Sequence, residues 1–408
     1  MNIKENKNYD KHFFPIIYDY QIFQAQRFGG ISRYFCEIIR RLHCEYKIAI
    51  RFSLNYYITK WQLNDKQIAF PRFLYKYFSS FFRRRNYHFA KKILKSGNKF
   101  LFHPTYYDSY FLKYIGGNPY VVTVHDMVHE KFAHIYPSPK SFREQKAKVI
   151  KGATRIIAIS ENTKKDIIEI LGVAPEKIDV VYHGTSMKPF SGEYQLKLPN
   201  KYLLYVGDRA AYKNFQRFIE VFSELHKQDP ELYLVYTGNK LEESEIKQLP
   251  LGIEKYTIHV KASDKALSEL YTRALLFVYP SLYEGFGIPI LEAYACHCPI
   301  AISDTSCFPE VAGEAAAYFD PYSKESMYRT ILKVIYDKEN RQRLIELGNT
   351  RLKRYSWEKA ALETQKTYQK AIEESISSSN PTVKKSKSTE YSTTEVTSKS
   401  NILPLRTS

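Results

Sequence analysis

An α/β fold made of two doubly wound parallel-sheet domains facing across a cleft follows from three observations. Short β-type runs alternate with amphipathic helical stretches over most of the chain, the pattern of parallel sheets with helices on both faces. At 408 residues the chain exceeds one ordinary core. Around residues 184–200 a stretch containing Gly184, Pro189, Gly192 and Pro199 breaks the alternation before a fresh strand starts at Tyr202. The boundaries that result are a first domain over 1–190 and a second over 191–355.

In the first half the predicted strands are Phe14–Tyr18, Lys47–Phe52, Lys99–Phe102, Tyr120–Val124, Arg155–Ile159 and Asp179–Tyr182. In the second half they are Tyr202–Val206, Glu231–Tyr236, Tyr256–Val260, Leu275–Tyr279, Pro299–Ile302 and Ala315–Phe319. Ile31, Tyr34, Phe35, Ile38, Ile39 and Leu42 recur at helical spacing behind Gly29-Gly30. Ser160 is placed to cap a helix that ends near Leu171, with Gly172 as its terminator. After about residue 375 the chain turns to Ser, Thr and Lys without apolar periodicity, the composition of a disordered tail over 375–408.

Composition excludes several classes. The polar N-terminus precedes no long hydrophobic region, so it does not read as a secretory signal. No apolar run is long enough to span a bilayer. Five cysteines, odd in number and without metal-ligand spacing, read as reduced thiols and point to the cytoplasm. The net charge of +18 is concentrated: residues 51–100 hold twelve Lys or Arg, including Arg83, Arg84 and Arg85, against the single acid Asp65. Aromatics such as Phe73, Tyr75, Tyr77, Phe78, Phe81 and Phe82 are interleaved with them. Such a segment suits an anionic membrane surface or a nucleic-acid backbone; the bland alternative is a solvated basic face over core aromatics.

Four stretches are candidates to carry the chemistry. Glu284-Gly-Phe-Gly-Ile-Pro-Ile-Leu-Glu292 sets two carboxylates across the junction of a glycine loop and a helix, behind the buried strand that ends at Tyr279. Pro289 suits the first helical turn, and strand, loop and helix N-terminus aim free N–H groups at one point, which favours a phosphate. Glu284 is expected on the loop and Glu292 in the first turn, where diol hydroxyls of a nucleotide would donate to them. The alternative is an ordinary crossover with solvated glutamates. In Tyr205-Val-Gly207-Asp-Arg209-Ala-Ala-Tyr-Lys213, two cations leave the C-terminal end of a strand, the edge where doubly wound sheets bind ligands. A planar fork and a point charge there suit a departing diphosphate without a metal. Thr123-Val-His125-Asp126 and His103-Pro-Thr105 end two further strands at the same edge.

The ordered set Gly29-Gly30-Ile-Ser-Arg-Tyr-Phe35, Thr123-Val-His-Asp126, Ile157-Ala-Ile-Ser-Glu161, Tyr205-Val-Gly207 with Arg209 and Lys213, and Glu284-x₇-Glu292 resembles the retaining glycosyltransferases of family four, with the GT-B fold. Pro309-Glu-Val-Ala-Gly313 and Tyr355-Ser-Trp-Glu358 fit the same resemblance, which covers roughly residues 14–372. It implies a C-terminal helix over 356–374 crossing back to the first domain. It implies a nucleotide-sugar donor held by the second domain and an acceptor held by the first. On the matching positions Glu292 would bind ribose and Glu284 the donor sugar. Gly285, Phe286, Gly287 and Ile288 would offer N–H groups to the diphosphate, braced by Arg209 and Lys213 near Gly207. His125, beside Asp126, would bond the sugar, and Gly30 after Gly29 would let the backbone approach the reaction centre. The Arg-to-Lys spacing of four is shorter than in some members, which puts Lys213 in more doubt than Arg209.

Members with a Gly-Gly-Ile-Ser-Arg-Tyr-Phe-like segment are often mannosyltransferases of bacterial surface polysaccharides. The expected donor is therefore GDP-mannose, with UDP-linked glucose or N-acetylhexosamine as alternatives, and no cofactor or metal is expected. The acceptor is expected to be lipid-linked or an oligosaccharide, reached at the inner face of the plasma membrane. A sugar-nucleotide epimerase on the same fold and a nucleic-acid-binding protein are the rival readings.

Overall fold

The computed structural model describes residues 14–64 and 77–379. Six strands belong to the first half: β1 (Ile16–Tyr18), β2 (Tyr46–Ile48), β3 (Leu101–His103), β4 (Val121–Val124), β5 (Arg155–Ala158) and β6 (Ile178–Val180). Six more follow: β7 (Tyr202–Tyr205), β8 (Tyr233–Tyr236), β9 (Thr257–His259), β10 (Leu276–Tyr279), β11 (Ile300–Ser303) and β12 (Ala317–Phe319). Each of the twelve expected strands is present, most of them trimmed by one to three residues at the ends.

All pairings are parallel. The first domain runs β2-β1-β3, joined through one bridge between Phe102 and Tyr120 to β4-β5-β6. The second runs β9-β8-β7-β10-β11-β12. In each sheet the chain winds outward in both directions from one central pair, β1 and β3 in the first, β7 and β10 in the second. Loops leaving the C-terminal ends of such a pair diverge and open a crevice. β1, β3, β4, β5, β7, β10 and β11 are buried at every residue, which is why they read as continuous apolar runs rather than alternating ones.

The helix Gly30–Ile39 buries Tyr34, Phe35, Ile38 and Ile39, the periodic residues expected to face the core. The helix Glu161–Leu171 has Ser160 as its N-cap, accepting from the Thr163 amide, and Gly172 as its C-cap at φ 65°. A last helix, Trp357–Ser379, returns to the first domain and packs on Gly30–Ile39 and on β3, β4 and β5. Trp357, Ala360, Tyr368 and Ile372 are part of the first domain's core. The Tyr368 hydroxyl meets the Tyr18 hydroxyl at 2.7 Å and His103 Nδ1 at 2.7 Å, and His103 Nε2 meets Thr123 Oγ1 at 3.0 Å. Buried Arg155, at the start of β5, pairs with Asp179 and with Glu374 of this helix. The helix thus belongs to the first domain in space, although it follows the second in sequence.

Two expectations are corrected here. The helix continues five residues past 374, through Ser379, as a largely exposed extension in which Ser378 Oγ donates to the Glu374 carbonyl; the rest of the expected tail lies outside the described residues. His103, read as a candidate beside His125, is a core residue with both ring nitrogens bonded, and burial lowers its pKa to about 3. All five cysteines are buried and free.

Candidate active site

The two domains meet at a clasp built around the loop after β10. Gly285, in the loop after β10, lies so close to the first domain that a Cβ there would fall 1.7 Å from the His125 carbonyl oxygen. Its own carbonyl accepts from Ser160 Oγ at 2.7 Å and Thr163 Oγ1 at 3.2 Å, both at the N-terminus of the helix Glu161–Leu171. That helix end also receives Glu310 from the second domain, whose carboxylate accepts from the Glu161 amide at 2.7 Å and the Asn162 amide at 3.0 Å. A carboxylate placed on free N–H groups at a helix start is favoured by the helix dipole. Tyr283 completes the contact: its hydroxyl donates to Asp166 at 2.7 Å and accepts from the Met127 amide at 3.1 Å.

Behind this clasp lies a cavity of about 310 Å³ lined from both domains. Gly30, His125 and Asp126 line it from the first; Gly207, Lys213, Glu284, Gly285, Phe286, Gly287 and Ile288 line it from the second. Both central loops of the second sheet, those after β7 and β10, therefore face the cavity. Gly287 takes φ 91°, a left-handed value that favours glycine, and starts the helix Ile288–Ala295 with Pro289 in its first turn. The Ile290 amide is returned to the Gly287 carbonyl at 2.9 Å. Lys213 Nζ donates to Glu284 Oε1 at 2.7 Å. Burial disfavours the Lys213 charge, but Glu284 outweighs it and the pKa is raised.

Other assigned residues are placed differently. Arg209 does not line the cavity. Its guanidinium grips Glu245 through two bonds of 2.8 Å and donates to the Asn239 carbonyl, so its charge is already matched. Of the two cations, Lys213 reaches the cavity and Arg209 does not. Glu292 is the fifth residue of its helix, beyond the first turn where it was expected, because the helix begins at Ile288. Burial pushes its carboxyl up to about 6, against the pull of Arg33. Gly29 lies outside the lining, and a Cβ on it would meet the Gln26 side chain at 2.2 Å. Arg83, Arg84 and Arg85 are exposed on the helix Ser79–Leu94, beside exposed Phe78 and Phe81. Phe82, counted among the interleaved aromatics, is buried; Phe73 and Tyr75 lie outside the described residues.

His125 is buried, with Nε2 lacking a partner among the described residues, and burial lowers its pKa to about 4. A neutral imidazole of this kind is suited to hydroxyls rather than to charged groups. His183, after β6, also lines the cavity and is held well below its ordinary pKa by burial. It was missed in the sequence, although Tyr182-His-Gly184 ends a strand much as Val124-His-Asp126 does.

Comparison with known proteins agrees with the two-domain fold. "Glycosyltransferase Family 4" matches residues 28–188, and "Glycosyl transferases group 1" matches residues 188–351. The chain is a GT-B glycosyltransferase of this family. Its relatives include O-antigen chain mannosyltransferase B of Escherichia coli, 27% identical over 61% of this chain and 69% of that protein. O-antigen chain mannosyltransferase RfbU of Salmonella typhimurium is 28% identical over 59% of this chain and 67% of that protein. Among solved structures, Anabaena Alr3699/HepE in complex with UDP and glucose superposes with a TM-score of 0.66 at 16% identity, covering 88% of this glycosyltransferase and all of that chain. The shared fold extends through both domains.

The clasp makes a prediction. Gly285→Ala forces a methyl into the His125 carbonyl, and a steric cost of about 1–3 kcal/mol at this contact favours moving the two loops apart. Small-angle scattering should show a larger radius of gyration than for the parent protein. An unchanged radius would mean that Gly285 does not set the domain distance.

Proposed function

We propose that this glycosyltransferase moves a mannosyl group, with retention, from GDP-mannose to a lipid-linked or saccharide acceptor in bacterial surface polysaccharide synthesis. The observation that carries the reading is the cavity in which Lys213, Glu284 and the glycine loop of the second domain face His125 of the first. The mannosyltransferase names of the relatives support the donor sugar and the O-antigen setting.

In this reading the diphosphate lies on the loop Gly285–Ile288, where main-chain N–H groups meet its oxygens, with Lys213 as the nearby cation. Arg209 is left out of the diphosphate site because Glu245 holds it. A preorganised cation and N–H groups in a water-poor cleft stabilise negative charge as it develops on the leaving diphosphate. Glu284, one hydrogen bond from Lys213, accepts from hydroxyls of the hexose, and neutral His125 bonds the same sugar from the opposite wall. Glu292 takes the ribose. The bond from the anomeric carbon to the diphosphate oxygen breaks, the acceptor oxygen bonds that carbon on the same face, and its proton passes to the departing diphosphate. The residues assigned here supply charge, donors and orientation, and no metal enters the scheme.

Glu284→Ala removes the sugar contact and leaves Lys213 unpaired in the cleft, so kcat/KM should fall by about 100-fold or more. The unpaired buried cation should also lower the melting temperature, while far-UV circular dichroism at the assay temperature should match that of the parent. Turnover within about threefold of the parent would refute the assignment. Running the assay with GDP-mannose, UDP-glucose and UDP-N-acetylglucosamine, each with and without acceptor, separates the donors and separates transfer from epimerisation.

The acceptor is proposed to be reached at an anionic membrane surface. Support comes from the helix Ser79–Leu94 and its N-cap Phe78, which expose Arg83, Arg84 and Arg85 together with Phe78 and Phe81, cations for headgroups and rings for the interface. No helix among the described residues is long and apolar enough to cross a membrane. Flotation with vesicles containing anionic phosphatidylglycerol should carry the parent protein upward at low salt, and the triple change of these arginines to alanine should abolish it. Equal flotation of both proteins would reject this surface.

A further inference from the structure

Arg33 and Glu292 face each other across the domain boundary, and neither is well bonded. Arg33 is the fourth residue of the helix Gly30–Ile39 in the first domain; Glu292 stands on the helix of the second domain whose N-terminus lines the cavity. Arg33 Nη1 lies 3.9 Å from Glu292 Oε1 and 3.7 Å from Asp264 Oδ1, and its Nε lies 3.9 Å from Glu37 Oε1. All three separations exceed a hydrogen bond. Among the described residues the guanidinium makes no hydrogen bond, although only 15% of the side chain is exposed. Glu292, 9% exposed, has one long contact, from the Tyr271 hydroxyl at 3.5 Å.

Nearby groups show that this is not the general condition of the region. Glu37, whose side chain is fully buried, is saturated by Arg40, Arg41 and the Ser186 hydroxyl. A largely covered arginine fork and a buried carboxylate held nearly 4 Å apart leave five donors and several lone pairs underused. A further cation would serve only Glu292, and an anion would serve only Arg33. A hydroxyl serves both, since it donates to the carboxylate and accepts from the guanidinium. A vicinal diol presents two such groups side by side. Position agrees with this: Glu292 is four residues beyond Ile288, about 6 Å along the helix axis from the N–H groups assigned to the diphosphate.

We propose that Arg33 is a nucleotide-binding residue supplied by the acceptor domain, and that the donor's ribose diol bridges Arg33 and Glu292. The inference rests on the reading above, in which Glu292 takes the ribose, and adds a contact from the other domain. Donor binding then joins the two domains at a second point, beyond the Gly285 clasp. Tyr57 flanks the site, with its ring 6.0 Å from the guanidinium carbon.

The test compares ribose with a ribose lacking its diol. Calorimetry on the full chain measures GDP and 2′,3′-dideoxy-GDP, with UDP and its dideoxy form run in parallel. The parent should prefer the ribonucleotide by about tenfold or more, and Arg33→Gln should reduce that preference to below about threefold. Arg33→Lys, which keeps the charge and loses the fork, should also lose most of the preference and stands in should the glutamine variant fail to fold. If both variants weaken the two ligands by the same factor, Arg33 is only a structural contact between the domains and the proposal fails while the donor reading stands. If the parent binds no nucleotide, or shows no preference for the diol, the ribose assignment of Glu292 fails with it.

Discussion

The site depends on one backbone contact. Gly285 can lie against the His125 carbonyl only because it lacks a Cβ, and that approach brings the loop after β10 to the end of β4. With any larger residue the two sheet edges would stand further apart and the cavity would open into a groove. Around this point the domains use each other's unfinished groups. Ser160 and Thr163 bond the Gly285 carbonyl, Glu310 satisfies the amides that begin the helix Glu161–Leu171, and Tyr283 bridges Asp166 and the Met127 amide. Each group would otherwise be left to water or without a partner, so closure is coupled to hydrogen bonding.

Charge is arranged with equal economy. Lys213 and Glu284 neutralise each other in the cavity at 2.7 Å, which makes a buried cation tolerable until an anionic ligand arrives. Breaking that pair for a diphosphate exchanges one charge partner for another rather than stripping a charge bare. His125 and His183 are pushed toward the neutral form by burial, so the first domain offers neutral imidazoles where the second offers a charged pair. That asymmetry suits a ligand anionic at one end and hydroxylated at the other.

Much of this could be read from the chain. Seven strands announced themselves because parallel strands covered on both faces are continuous apolar runs, and Ser160 and Gly172 marked helix ends by their local chemistry. The glycine loop and Lys213 were found because strand, loop and helix start are contiguous in sequence. What escaped depends on distant partners. Arg209 was expected beside Lys213, but Glu245, thirty-six residues on, draws it away. His103 and His125 look alike at their strand ends; only Tyr368, from the far end of the chain, shows that the first belongs to the core. Arg33 was quoted within a motif and given no role, since its neighbours Glu292 and Asp264 lie in the other domain.

The central claim is that a nucleotide-sugar diphosphate occupies the cavity behind the Gly285 clasp. Its most direct measurement is a crystal structure of the glycosyltransferase soaked with GDP-mannose. The account requires phosphate oxygens within hydrogen-bond distance of the amides of the loop Gly285–Ile288 and of Lys213 Nζ, with the hexose between Glu284 and His125. A donor bound outside this cavity, or a diphosphate gripped by Arg209 with Lys213 still paired to Glu284, would contradict it.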